Sequence, residues 1–67
     1  MNNYLKTRLY AATFENLSGD NRMFRAYSDF RAVKRAMKIS GEHNYGKVLR
    51  IYEIHPRTLK IIRGVFA

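Results

Sequence analysis

Sixty-seven residues suffice for one small domain whose fold buries only about 60% of the unfolded surface, so its core must be thin. Thirteen Lys and Arg against five Asp and Glu leave a charge of +8, which points to an anionic partner: nucleic acid, an acidic protein surface or anionic lipid. The lack of cysteine excludes disulfides and thiolate metal sites, and a hydrophobic content of 46% argues against disorder.

Taken in chain order, residues 1–3 are polar, and residues 4–14 are rich in β-formers and largely alternate, which predicts a first strand. Alternation puts Leu5, Leu9 and Ala11 on one face and Tyr4, Lys6, Arg8 and Tyr10 on the other. The segment 17–21, Leu-Ser-Gly-Asp-Asn, is a turn that closes a hairpin onto a second strand at 22–27. In that strand Phe24 and Ala26 share one face, and Met23, Arg25 and Tyr27 share the other.

Ser28 then caps a helix directly, and Asp29 places a carboxylate at its electropositive start. Phe30, Val33, Ala36 and Met37 form an apolar stripe bordered by Ala32 and Ile39, while Arg31, Lys34, Arg35 and Lys38 occupy the opposite side. Gly41 is the expected stop. After a loop bounded by Gly41 and Gly46, residues 47–55 read as a strand with blurred alternation, as expected of an internal strand covered in part on both sides. Pro56 ends it. Residues 59–66 return as a fourth strand, with a short helix at 58–63 as the alternative.

This pattern predicts a single α+β domain over residues 1–67. Its ββαββ order gives two layers, a mostly antiparallel three- or four-stranded sheet with one helix on one face. The other face is left open, and Tyr4, Lys6, Arg8, Tyr10, Arg25, Arg50 and Tyr52 are its expected occupants. Aromatic rings interleaved with cations suit nucleic acid, since rings stack on bases and cations hold phosphates. Arg31, Lys34, Arg35 and Lys38 provide a second basic surface. The expected binding residues are therefore Lys6, Arg8, Tyr10, Arg25, Arg31, Lys34, Arg35, Lys38, Arg50 and Tyr52. Apolar residues such as Val48 and Ile54 on the open face allow a homodimer.

Catalysis is not expected. His43 and His55 lie in loop or strand-end positions without a metal-ligand pattern, and the glycines at 19, 41, 46 and 64 form no phosphate loop. No cofactor is implied. A small basic ribonuclease-like toxin is the third reading, with His55, Tyr52 and Arg57 as acid, base and phosphate clamp. No apolar run approaches the ~20 residues of a membrane span and no basic-then-apolar leader opens the chain, so the expected location is cytoplasmic and no membrane partner is expected.

A hairpin, then the segment Phe24-Arg25-Ala26-Tyr27-Ser28-Asp29-Phe30-Arg31-Ala32-Val33-Lys34-Arg35-Ala36, then a hydrophobic strand, all without cysteine, make a small layout with no signature motif. In this layout the chain resembles the short accessory proteins that bacteriophages encode for host takeover or anti-defence. The resemblance implies a non-catalytic protein that binds nucleic acid or a nucleic-acid-handling machine. Its alternative is an inhibitor docking on an acidic patch of a host protein. No site residue is carried over by it.

Overall fold

A computed structural model describes residues 6–66. The expected part played by Tyr4 and Leu5 lies outside the described residues. Five elements follow one another: β1 (Arg8–Phe14), β2 (Arg22–Ala26), α1 (Asp29–His43), β3 (Val48–Ile54) and β4 (Ile61–Phe66). They build one four-stranded antiparallel sheet in the order β2-β1-β3-β4, an α+β fold. Because β1 separates β2 from β3, the helix joining those two must cross over β1. That crossing fixes which face of the sheet is covered.

The helix begins where its cap lies. Ser28 is extended, its Oγ accepts the Arg31 N–H at 3.2 Å, and its carbonyl accepts the Ala32 N–H at 2.9 Å. The helix runs through Gly41 and stops at Asn44, whose φ of 59° turns the chain left-handed while its N–H donates to the Ser40 carbonyl. The stop expected at Gly41 is therefore displaced by three residues. Asparagine is the other residue that tolerates this conformation, and a glycine inside a helix costs only about 1 kcal/mol.

Two expected orientations are also corrected. The register pairs Tyr10 with Phe24 and Ala12 with Ile51, so Tyr10, Ala12 and Phe14 face the helix, whereas Leu9, Ala11 and Thr13 face away. Tyr10 is completely buried, and Arg8 shares its side of the strand. Both are therefore removed from the open face. Aromatic rings bury more area than Leu or Ala, so the covered face takes Tyr10 and Phe14. A strand inverted by one residue exchanges every side chain between faces.

The helix is rotated correspondingly. Ala32 and Ala36 are fully buried, Val33 and Ile39 pack at the border, and Phe30 and Met37 lie exposed. The sheet supplies the bulk through Tyr10, Phe14, Phe24 and Ile51, leaving room for only small residues on the helix. Ala32 and Ala36, one turn apart, permit that close approach.

In β3, a bulge opposite Thr13 and Phe14 explains the blurred alternation. Val48, opposite Phe14, packs toward the core rather than on the open face, while Arg50, Tyr52 and Ile54 face away from the helix. The β3–β4 connection is a turn and not the alternative helix. His55 N–H donates to the Lys60 carbonyl at 2.9 Å, and Leu59 adopts φ 60°. Residues 61–66 then pair as a strand.

Candidate nucleic-acid interface

The first half of α1 and the edge of β2 enclose an open groove of ≈ 520 Å³. Its cations are Arg25, Arg31, Lys34 and Arg35, its aromatic rings are Tyr27 and Phe30, and Thr7 and Ala26 complete the wall. Among the described residues no carboxylate lines it. Helical spacing makes this grouping. Arg31 follows Tyr27 by four residues and Lys34 follows Phe30 by four, so each ring meets a cation. The Lys34 Nζ lies 5.4 Å from the Phe30 ring centroid, and the Arg31 Cζ lies 6.0 Å from that of Tyr27. Phe30 is 72% exposed and Tyr27 50%. The guanidinium of Arg25 donates to the Thr7 carbonyl at 3.3 Å and to its hydroxyl at 3.2 Å, which ties the strand edge to the chain entering β1.

The expected binding residues divide into four groups. Arg25, Arg31, Lys34 and Arg35 come together in the groove. Lys38 is exposed one turn further along the helix, and Lys6 is exposed ahead of β1. Arg50 and Tyr52 lie on the open sheet face, where Arg50 donates to the Tyr52 hydroxyl at 3.3 Å. Arg8 and Tyr10 belong to a structural cluster around Asp29.

In that cluster the Asp29 Oδ1 accepts from the Tyr10 hydroxyl at 2.9 Å and from Arg63 at 2.7 Å, with Arg8 at 3.7 Å. Arg63 also pairs with Glu53 at 3.0 Å. The bond from Arg63, followed by that from Tyr10, holds the Asp29 carboxyl below the usual aspartate value. Burial, then the bond to Asp29, raises the Tyr10 phenol. The cluster joins the start of the helix to β1, β3 and β4, and it engages the acid nearest to the groove.

The uncovered sheet face carries a different chemistry from the one expected. Ala11, Thr13, Met23, Tyr52, Ile54, Leu59 and Ile61 line a shallow depression of ≈ 310 Å³ there, with Asn21 at its border. Met23, Leu59 and Ile61 are more than half exposed. The face is mainly apolar. Apart from Arg50 and Tyr52, aromatic and basic residues gather instead at the helix, with Tyr27 and Phe30, which the sequence pattern alone places on a strand face and in the core. Their i, i+4 pairing with Arg31 and Lys34 is the signal that could have identified them.

The residues of the ribonuclease reading have structural engagements. The His55 Nδ1 accepts the N–H of Arg57 at 3.1 Å and of Thr58 at 3.4 Å, shaping the turn, and the Tyr52 hydroxyl accepts from Arg50. Among the described residues no three His, Asp or Glu side chains are placed to hold a metal ion, and no helix is long and apolar enough to cross a membrane. Compared with protein-family models, curated proteins and solved structures, the chain matches none.

Proposed function

We propose that this chain is a small non-catalytic module that binds nucleic acid through the groove between α1 and β2. The observation that carries the proposal is the convergence of four cations and two exposed rings on a surface to which no described residue brings a carboxylate. Such a surface attracts phosphates by charge and gives bases apolar faces to rest on. It presents few fixed hydrogen-bonding groups, so binding depends on backbone charge more than on sequence. We place such a module in the cytoplasm, and the layout fits a phage-type accessory role.

The test is titration of labelled DNA and RNA at several salt concentrations. Four phosphate contacts give a log–log slope of about −3.6 on a duplex. Substituting Arg31, Lys34 and Arg35 together with Gln removes about 2.7 of that slope. No binding to either nucleic acid at ~50 mM salt overturns the proposal. In that outcome an acidic protein patch becomes the partner for the same cations.

A second copy of the chain is the occupant we propose for the open sheet face. Leu59 holds a left-handed backbone at φ 60° while its side chain is 53% exposed on that face. Such a conformation costs a non-glycine residue roughly 1–2 kcal/mol, and strain of this kind concentrates where a surface is used. The domain measures 36 × 22 × 16 Å, so its broad face is comparable with the ~800 Å² per partner of a stable interface. Gel filtration with light scattering tests this. A dimer that Ile61→Asp converts to monomer supports the pairing, and a monomer at ~100 μM, well above a micromolar dissociation constant, removes it.

A further inference from the structure

We infer that the groove takes a single strand, with bases stacked on Phe30 and Tyr27, and that it binds a duplex only through charge. This rests on the nucleic-acid reading above and adds the form of the ligand.

Phe30 and Tyr27 are the basis of the inference. Phenylalanine at 72% exposure, the second residue of α1, places most of an apolar ring in water. Tyr27, 50% exposed, stands beside it just ahead of the cap. Each ring is attended by a cation from the next turn, Lys34 at 5.4 Å and Arg31 at 6.0 Å. A ring with a neighbouring cation is the pairing that binds a nucleotide in two ways, since the ring accepts the base and the cation its phosphate.

A duplex cannot use the rings in this way. Its bases are stacked on one another and expose only their edges in the grooves, whereas an unpaired strand can splay its bases outward. The volume of ≈ 520 Å³ is within the ~300–1,000 Å³ of clefts that accept ligands of nucleotide size. Arg25, held by Thr7, gives the strand edge a fixed positive charge opposite the helix cations. The backbone of a single strand would therefore run between β2 and α1 with its bases toward the two rings.

The experiment measures fluorescence anisotropy of the full chain with a labelled single strand of about twelve nucleotides and with a duplex of the same length. The single strand is expected to bind at least tenfold more tightly. Phe30→Ala should weaken single-strand binding about five- to 150-fold and leave duplex binding unchanged, while Phe30→Trp should retain it. Because Phe30 is exposed, neither change removes core packing. Equal affinity for the two forms, or an equal loss on both with Phe30→Ala, overturns the single-strand inference and leaves the charge-based reading intact. Absence of binding to both overturns the two together.

Discussion

Ser28 connects β2 to α1 without a linker, so the groove's position depends on a single cap. Its Oγ accepts the Arg31 N–H at 3.2 Å, and its carbonyl accepts the Ala32 N–H at 2.9 Å. Ser28→Ala deletes the first bond and leaves the second. Losses at such caps range over about 0.5–2 kcal/mol. Ser28 is half-buried and this bond is open to water, which can replace part of it, so about 1 kcal/mol is expected. Unfolding entropy near 2.1 cal/mol/K per residue gives a chain of 67 residues about 0.14 kcal/mol/K, so the melting temperature should fall by about 7 °C. Thermal unfolding followed by circular dichroism measures the shift. Ser28→Asn should recover most of it, because an Asn side-chain oxygen can accept the same N–H. A Ser28→Ala protein melting within about 2 °C of the parent, or an Asn variant no better than the Ala one, would show that the helix start is not determined by this cap.

Asp29→Asn should lower the melting temperature at neutral pH, and the deficit should close in acid. The native carboxyl titrates below the usual 3.8, so it stabilises the fold above that pH and loses its effect as the pH falls through the native value. A deficit that persists far below pH 3.8 contradicts the assignment. The glycines 41 and 46 should respond oppositely to alanine. Gly41→Ala meets no neighbouring atom within 4 Å and should stabilise the helix by about 0.5–1 kcal/mol. Gly46→Ala would place a methyl 2.9 Å from the Glu15 carboxylate at φ +78° and should destabilise by at least ~1 kcal/mol, both read from urea unfolding. Ala36→Leu should cost about 1–3 kcal/mol by the same measurement, since the sheet already fills that interface with large side chains. A neutral result would show that the helix is not held close by its alanines.

The order of elements was legible because each boundary has a local chemical marker. Ser28, Asp29, the turn at 17–21 and Pro56 act through hydrogen bonds and fixed torsions within a few residues. The choice between faces was not legible in this way. In β1 the sets Leu9-Ala11 and Tyr10-Ala12-Phe14 alternate equally well, and only the aromatic partner Phe24 across the ladder, together with the acceptor Asp29 on the helix, favours the second. The rotation of α1 follows from that choice. Once Tyr10 and Phe14 occupy the interface, Phe30 and Met37 have no space in it, so the two large members of the apolar stripe lie at the surface while Ala36 stays buried and Val33 packs at the border. The exposure of Arg31, Lys34, Arg35 and Lys38 was legible because a charge needs no partner to specify its side. Their aromatic neighbours depended on the rotation and were missed.

The distribution of the few acids gives the charge of +8 its direction. The chain has five carboxylates, at Glu15, Asp20, Asp29, Glu42 and Glu53. Asp29 and Glu53 meet Arg63, Asp20 meets Arg22 at 3.3 Å, and Glu15 accepts the Lys47 N–H at 3.3 Å. None of the five lines the groove, and among the described residues no carboxylate pairs with Arg31, Lys34 or Arg35. Among the described residues the ion pairs of the fold thus engage Arg8, Arg22 and Arg63, while the cations on the first half of α1 face outward beside two exposed rings. A uniform excess of cations would serve solubility alone. Four of the thirteen Lys and Arg gather in one concave place, and the field focused there attracts an anion before any contact forms.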